Sequence, residues 1–231
     1  MFCYQCEQTA KGEGCTKSGV CGKQPDVASL QDLLVHTLAE LSHCAVEGRK
    51  VGVVDRGINV FTVEALFSTL TNVDFDPARF VELIDKCVSL RDTLKDKVVA
   101  AGGKVSFPGG AATTPEKTME GLIKQGEAVS LDAKQGEDPD IRSLKHTLLF
   151  GLKGVAAYAD HAQILGQEDQ KVYDYVYDAL DALLTANMLL GDWLAMVLKC
   201  GEINLLAMEL LDAANTGAYG HPEPTQVRVT P

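Results

Sequence analysis

The sequence predicts an all-α protein: two three-helix bundles packed together, preceded by a cysteine-rich N-terminal loop. Three observations carry that reading. Apolar residues recur at intervals of three and four through six long segments, the period of a helix with one buried face. Asp-Pro and Thr-Pro steps open three of the helical segments. There an oxygen-bearing side chain caps free N–H groups and proline fits the first turn. No strands alternate with these segments, which removes the α/β classes.

The elements follow in order. Leu30, Leu33, Leu34, Leu38, Leu41 and Ala45 mark an amphipathic helix from about Val27 to Gly48. A second helix is expected from Asn59, taken as its N-cap, through Val63, Leu66, Phe67 and Leu70. Asp76-Pro77 starts a third, with Phe80, Ile84, Cys87, Arg91 and Leu94 on one side and a stop near Gly102-Gly103. The glycine-rich run from Gly102 to Ala112 reads as a connector. Thr114-Pro115 is expected to begin a short helix ending near Glu127. Asp138-Pro139 opens a long one carrying Ile141, Leu144, Leu148, Leu152, Val155 and Ala159. Two more are expected, from Glu168 to Asn187 and from Asp192 to Asn215, with Gly201 kinking or dividing the last.

Thr225 to Pro231 reads as the start of a β-strand with no partner in the chain, and an unpaired strand is unstable in water. The expected organisation is therefore a loop at 1–25, a bundle at 26–103, a connector with a short helix at 104–137, a second bundle at 138–220, and a tail at 221–231.

Composition bounds the function. The chain has 231 residues, 46% of them hydrophobic, enough for one or two cores. Its formal net charge of -11 argues against nucleic acid and anionic membranes as partners. An acidic surface would suit a basic redox partner. No apolar run reaches the length of a membrane-spanning helix.

The chemistry concentrates at the amino end. Cys3, Cys6, Cys15 and Cys21 have the spacing C-x2-C-x8-C-x5-C. Four thiolates so close together meet the ligand count of a cubane [4Fe-4S] cluster. Gly12, Gly14, Gly19 and Gly22 let the backbone wrap tightly and aim N–H groups at an anion. Structural zinc is the chief alternative, although zinc ribbons usually show two C-x2-C knuckles and only the first pair here has that form. A disulfide framework fits poorly. Cys44, Cys87 and Cys200 remain over, the chain is long, and Cys3 leaves no room for a leader, so a reducing cytoplasm is expected. These three cysteines lie on apolar stripes, where a free thiol behaves as a small core residue.

Other candidates weigh less. Glu40-Leu-Ser-His43 has the E-x-x-H spacing of di-iron bundles, but the second copy such a site needs is missing. His146 and His161 stand about four turns apart on one helix, too far to share a metal. Tyr173, Tyr175 and Tyr177 cannot all face one way on a helix, and Trp193 reads as a packing anchor.

The opening Met1-Phe-Cys-Tyr-Gln-Cys-Glu-Gln-Thr-Ala10 and Gly14-Cys-Thr-Lys-Ser-Gly-Val-Cys-Gly-Lys23 resemble the N-terminus of hybrid cluster proteins, also called prismane proteins or hydroxylamine reductases. Gln31-Asp32-Leu33-Leu34, Gly151 to Ala162 and Gly201 to Gly220 extend the resemblance across the chain. It implies that Cys3, Cys6, Cys15 and Cys21 bind the family's simpler cluster. With this shorter spacing that cluster is [4Fe-4S]; members with wider spacing hold [2Fe-2S].

The family's catalytic centre, a hybrid iron–sulfur–oxygen cluster where hydroxylamine or nitric oxide is reduced, is ligated from later α/β domains. No residue here matches those ligands, so the chain is expected to represent the helical first domain of a truncated or shortened member. Two functions follow. The loop relays electrons from a donor protein, or it staples the bundles structurally while the helices form a homo-oligomer interface.

Overall fold

Side-chain caps set four of the helix starts in the computed structural model, which describes residues 1–133, 136–185 and 187–228. Helix α1 spans Pro25–Lys50 and α2 spans Arg56–Ser68. Helix α3 is Pro77–Ala100, with Asp76 accepting from the Ala78 N–H, and α4 is Met119–Val129. Helix α5 is Pro139–Ile164, capped by Asp138 through the Asp140 and Ile141 N–H groups. Helices α6, Gln170–Thr185, and α7, Leu190–Tyr219, complete the set. Short 3-10 turns occur at Ala10–Gly12 and Leu131–Ala133. The fold is all-α, as the periodicity predicts.

Several boundaries differ from the sequence expectation, each for a local reason. Asp55, not Asn59, caps α2: its carboxylate accepts from the Gly57 and Ile58 N–H groups. Asn59 is instead buried, donating to Gln170 Oε1 at 3.0 Å and accepting from the Tyr177 hydroxyl at 2.9 Å. Helix α4 begins at Met119 behind Thr118 rather than at Thr114-Pro115. The Gln125 side chain binds the Thr114 carbonyl and the Glu116 N–H, which holds that approach non-helical. Helix α7 starts two residues before Asp192, whose carboxylate turns back to the Leu189 N–H, and it continues through Gly201 without a break. Cys200 and Ile203, both buried, hold the helix on either side of that glycine. Residues 221–228 form no strand, and residues 229–231 of the expected strand lie outside the described residues.

The helices before and after the connector share one hydrophobic core. Helix α1 packs against α3, α4 and α6, while α5 packs against α7 and α2. Contacts therefore cross between the two sets of three long helices. Leu30, Leu34, Leu38, Leu66, Ile84, Leu148 and Leu152 are fully buried. Each such side chain contributes roughly 1.5–3 kcal/mol from burial. Helix α4 approaches α1 closely enough that a Cβ on Gly126 would meet the Ser29 carbonyl oxygen at 1.9 Å. Only glycine fits there.

A buried polar clamp fixes the connector. Arg91 of α3 pairs with Glu40 of α1, and Thr113 donates its N–H and its hydroxyl to Glu40 Oε1, both at 2.8 Å. Burial raises the Glu40 carboxyl, but hydrogen bonds from His36 and Thr113 outweigh that and hold it below its ordinary range. His43 points elsewhere, to Asp181 of α6 at 2.9 Å and the Ser106 carbonyl at 3.0 Å. Glu40 and His43 thus serve separate contacts. The three tyrosines of α6 also part company. Tyr173 bonds Glu168, Tyr175 reaches the Met196 carbonyl on α7, and Tyr177 reaches Asn59 on α2. Trp193 is 1% exposed, with the Lys145 ammonium 5.0 Å from its ring centroid.

Candidate metal centre

The first 24 residues fold back on themselves before α1 begins. An isolated antiparallel bridge sets Cys3 opposite Cys15. The Phe2 N–H donates to the Cys15 carbonyl at 2.9 Å, and the Cys15 N–H donates to the Cys3 carbonyl at 2.7 Å. A turn after Cys6, closed by the Thr9 N–H on the Cys6 carbonyl, reverses the chain through the Ala10–Gly12 turn. A second tight turn carries Cys21: the Gly22 N–H binds the Gly19 carbonyl, and the Gly19 N–H binds the Lys23 carbonyl at 2.6 Å. A Cβ on Gly19 would come within 3.1 Å of both the Cys21 Sγ and the Lys23 side chain. Larger residues would press that turn open.

All four thiols are free. Cys15 is buried, Cys3 and Cys6 are half-buried, and Cys21 is exposed. Among the described residues, no three His, Cys, Asp or Glu side chains are gathered closely enough to hold a metal ion. The backbone bridge thus brings two of the four cysteines together, and the Cys21 turn stays open to solvent. In number and chemistry the donor set still fits a cubane, with four unpaired thiols on one loop and glycine turns between them.

Cys44, Cys87 and Cys200 lie far from this role. All three are buried, and burial pushes the first two thiols up to about 12 and the third to about 11. Such thiols stay protonated and inert.

The loop is strapped to the bundle by contacts that the sequence patterns did not reveal. The Tyr4 hydroxyl donates to the Asp132 carboxylate at 3.0 Å and lies 2.6 Å from His146 Nε2. Its ring meets Phe150 edge-on at 6.1 Å. Gln5 Nε2 donates to the Thr69 carbonyl at the end of α2. Lys23 donates to Gln31, which in turn donates to the Asp74 carbonyl. His146 therefore orients Tyr4, while His161 bonds the Ala157 carbonyl of its own helix and meets the Phe67 ring of α2 edge-on.

A cavity of about 50 Å³ is lined by Cys3, Tyr4, Gln5, Asp32, His146 and Phe150 among others. Burial pushes the Asp32 carboxyl up to about 6 against the pull of Lys153. Burial likewise brings the Lys153 ammonium down to about 8, partly offset by Asp32. Their signal in the sequence is faint. Lys145, Leu149, Lys153, Ala156 and Asp160 form a second helical stripe on α5, and all of them are buried.

The fold and the thiol loop together define a helical domain with an N-terminal cysteine motif. The sequence profile of the Prismane/CO dehydrogenase family matches residues 1–231, and the chain belongs to that family. It is 67% identical over its whole length to a hydroxylamine reductase from Syntrophobacter fumaroxidans, covering 43% of that relative. It is 58% identical to a hydroxylamine reductase from Methanocella arvoryzae, over 98% of this chain and 42% of the relative. A hydroxylamine reductase from Rippkaea orientalis is 46% identical over the full chain and 42% of its own length. The chain thus spans about two fifths of the curated relatives it matches. No helix among the described residues is long and apolar enough to cross a membrane.

Proposed function

We propose that this chain is the electron-relay portion of a hydroxylamine reductase-like oxidoreductase, with Cys3, Cys6, Cys15 and Cys21 ligating a [4Fe-4S] cluster. One observation carries the reading: a C-x2-C-x8-C-x5-C loop of free thiols heads a chain 67% identical to a named hydroxylamine reductase. A cubane supplies one-electron storage without a substrate-binding position. The protein supplies the rest. The Cys3–Cys15 bridge fixes the spacing of two ligand backbones. The Gly19–Lys23 turn leaves Cys21 free to be drawn in, and Tyr4 and Lys23 tie the loop to the helices.

Reduction of hydroxylamine or nitric oxide would belong to the part of the longer relatives beyond the matched region. The acidic surface suits a basic electron donor, and the free thiols suit a reducing cytoplasm.

The second reading, a structural staple, is favoured by the density of straps between loop and bundle. Redox cycling separates the two. Under the relay reading, a small electron-transfer protein reduces the cluster and oxygen-free oxidant restores it over repeated cycles with no loss of iron. Destruction of the cluster on the first reduction supports the staple. Hydroxylamine reduction by this chain alone should be undetectable; a robust rate would contradict the assignment of catalysis to the remainder.

A further inference from the structure

Two lysines are buried at the cysteine loop, Lys23 at its end and Lys153 on α5. Lys23 is 1% exposed and Lys153 is 4% exposed. Lys23 Nζ donates to Gln31 Oε1 at 2.6 Å, and Lys153 Nζ donates to the Thr69 carbonyl at 3.1 Å. Both acceptors are neutral. Burying an ammonium without a close counter-charge is costly, so two in one region call for negative charge nearby. Asp32 acts on both lysines and offsets one of them. Asp132, further out, is engaged by Tyr4 and His146. The C-terminal end of α2 at Thr69 adds at most about half a negative charge. Asp32 and Cys3 are the anionic groups that act on Lys153.

Both cations connect to the thiols by short routes. Lys153 shares the Thr69 carbonyl with Gln5, the residue between Tyr4 and Cys6. Cys3 is among the groups whose charge acts on Lys153. Lys23 follows Cys21 by two positions, and its carbonyl closes the Cys21 turn.

We propose that Lys23 and Lys153 are positioning cations for the metal centre: they counterbalance the anionic thiolate quartet and raise the reduction potential of the cluster it holds. The inference rests on the cluster assignment above. Four thiolates around a 2+ core leave about two negative charges, and each added electron makes the site more anionic. A fixed cation in a poorly polarisable interior attracts that reduced state more strongly than the same cation would across water.

The test uses the 231-residue chain with Lys153→Met, Lys23→Met, Lys153→Arg and Lys23→Arg, reconstituted anaerobically. Iron is counted, helicity is checked by circular dichroism, and the midpoint potential is read by a redox titration followed by electron paramagnetic resonance. The methionine variants should keep their iron while reduction becomes roughly tenfold less favourable, a fall of about 59 mV for one electron. The arginine variants should stay near wild type. Iron lost with methionine but kept with arginine also supports the charge role. Iron-loaded methionine variants at the wild-type potential overturn it, as does iron lost from methionine and arginine variants alike. A wild-type chain with no iron–sulfur signal is a separate failure, that of the cluster assignment itself.

Discussion

Cys15 and Cys44 share a side chain and a nearly equal burial, yet their surroundings give them opposite expected roles. Cys15 lies on the glycine-rich loop opposite Cys3, whereas Cys44 faces the α1 core with its thiol pushed up to about 12. Cys15→Ser should therefore lower the iron content of reconstituted protein, and Cys44→Ser should leave it unchanged; iron analysis of the two variants decides the ligand assignment. His43 carries a pH prediction. The Asp181 hydrogen bond raises its ring above the ordinary value of 6.5, outweighing burial. Its stabilising contribution is complete below that value and is lost as pH rises through the higher folded value. The stability difference between wild type and His43→Asn, measured by urea unfolding, should shrink from about pH 6 to about pH 9. A constant difference would mean that the contact does not depend on charge.

At the scale of elements, α7 offers the sharpest contrast. Trp193 is buried under Lys145, while Leu198 is 65% exposed on the same helix. Trp193→Ala should cost about 3–5 kcal/mol, and Leu198→Ala should change stability by about 0.5 kcal/mol or less. Thermal and urea denaturation of both variants check the assignment of faces. Two helix starts were readable from a local signal. Asp76-Pro77 and Asp138-Pro139 place α3 and α5 correctly, because a carboxylate cap and a proline at the first position act within one turn. Asn59 misled because either Asp55 or Asn59 can cap a helix. The choice depends on Gln170 and Tyr177, which lie more than 100 residues away. The Gly201 break failed similarly, since neighbouring buried residues outweigh the modest helix cost of one glycine.

For the whole molecule, periodicity revealed the class of fold but not the pairing of helices. Patterning tells which face of a helix is buried, not that α2 lies on α5 or α6 on α1. The site divides along the same line. Four cysteines within 21 residues are visible at once, whereas Tyr4–His146 and Lys153–Thr69 are contacts between distant segments. A lysine between Leu149 and Ala156 on one stripe of α5 is a faint hint of the second. The resulting molecule is a single helical core with a thiol loop strapped to α1, α2 and α5. Its matched relatives extend well beyond it.

Anaerobic determination of iron, acid-labile sulfide and zinc in the purified chain, with electron paramagnetic resonance of the reduced sample, tests the central claim most directly. The account predicts about four iron and four sulfide per chain and a reduced cubane signal. One zinc per chain with no iron or sulfide would contradict it.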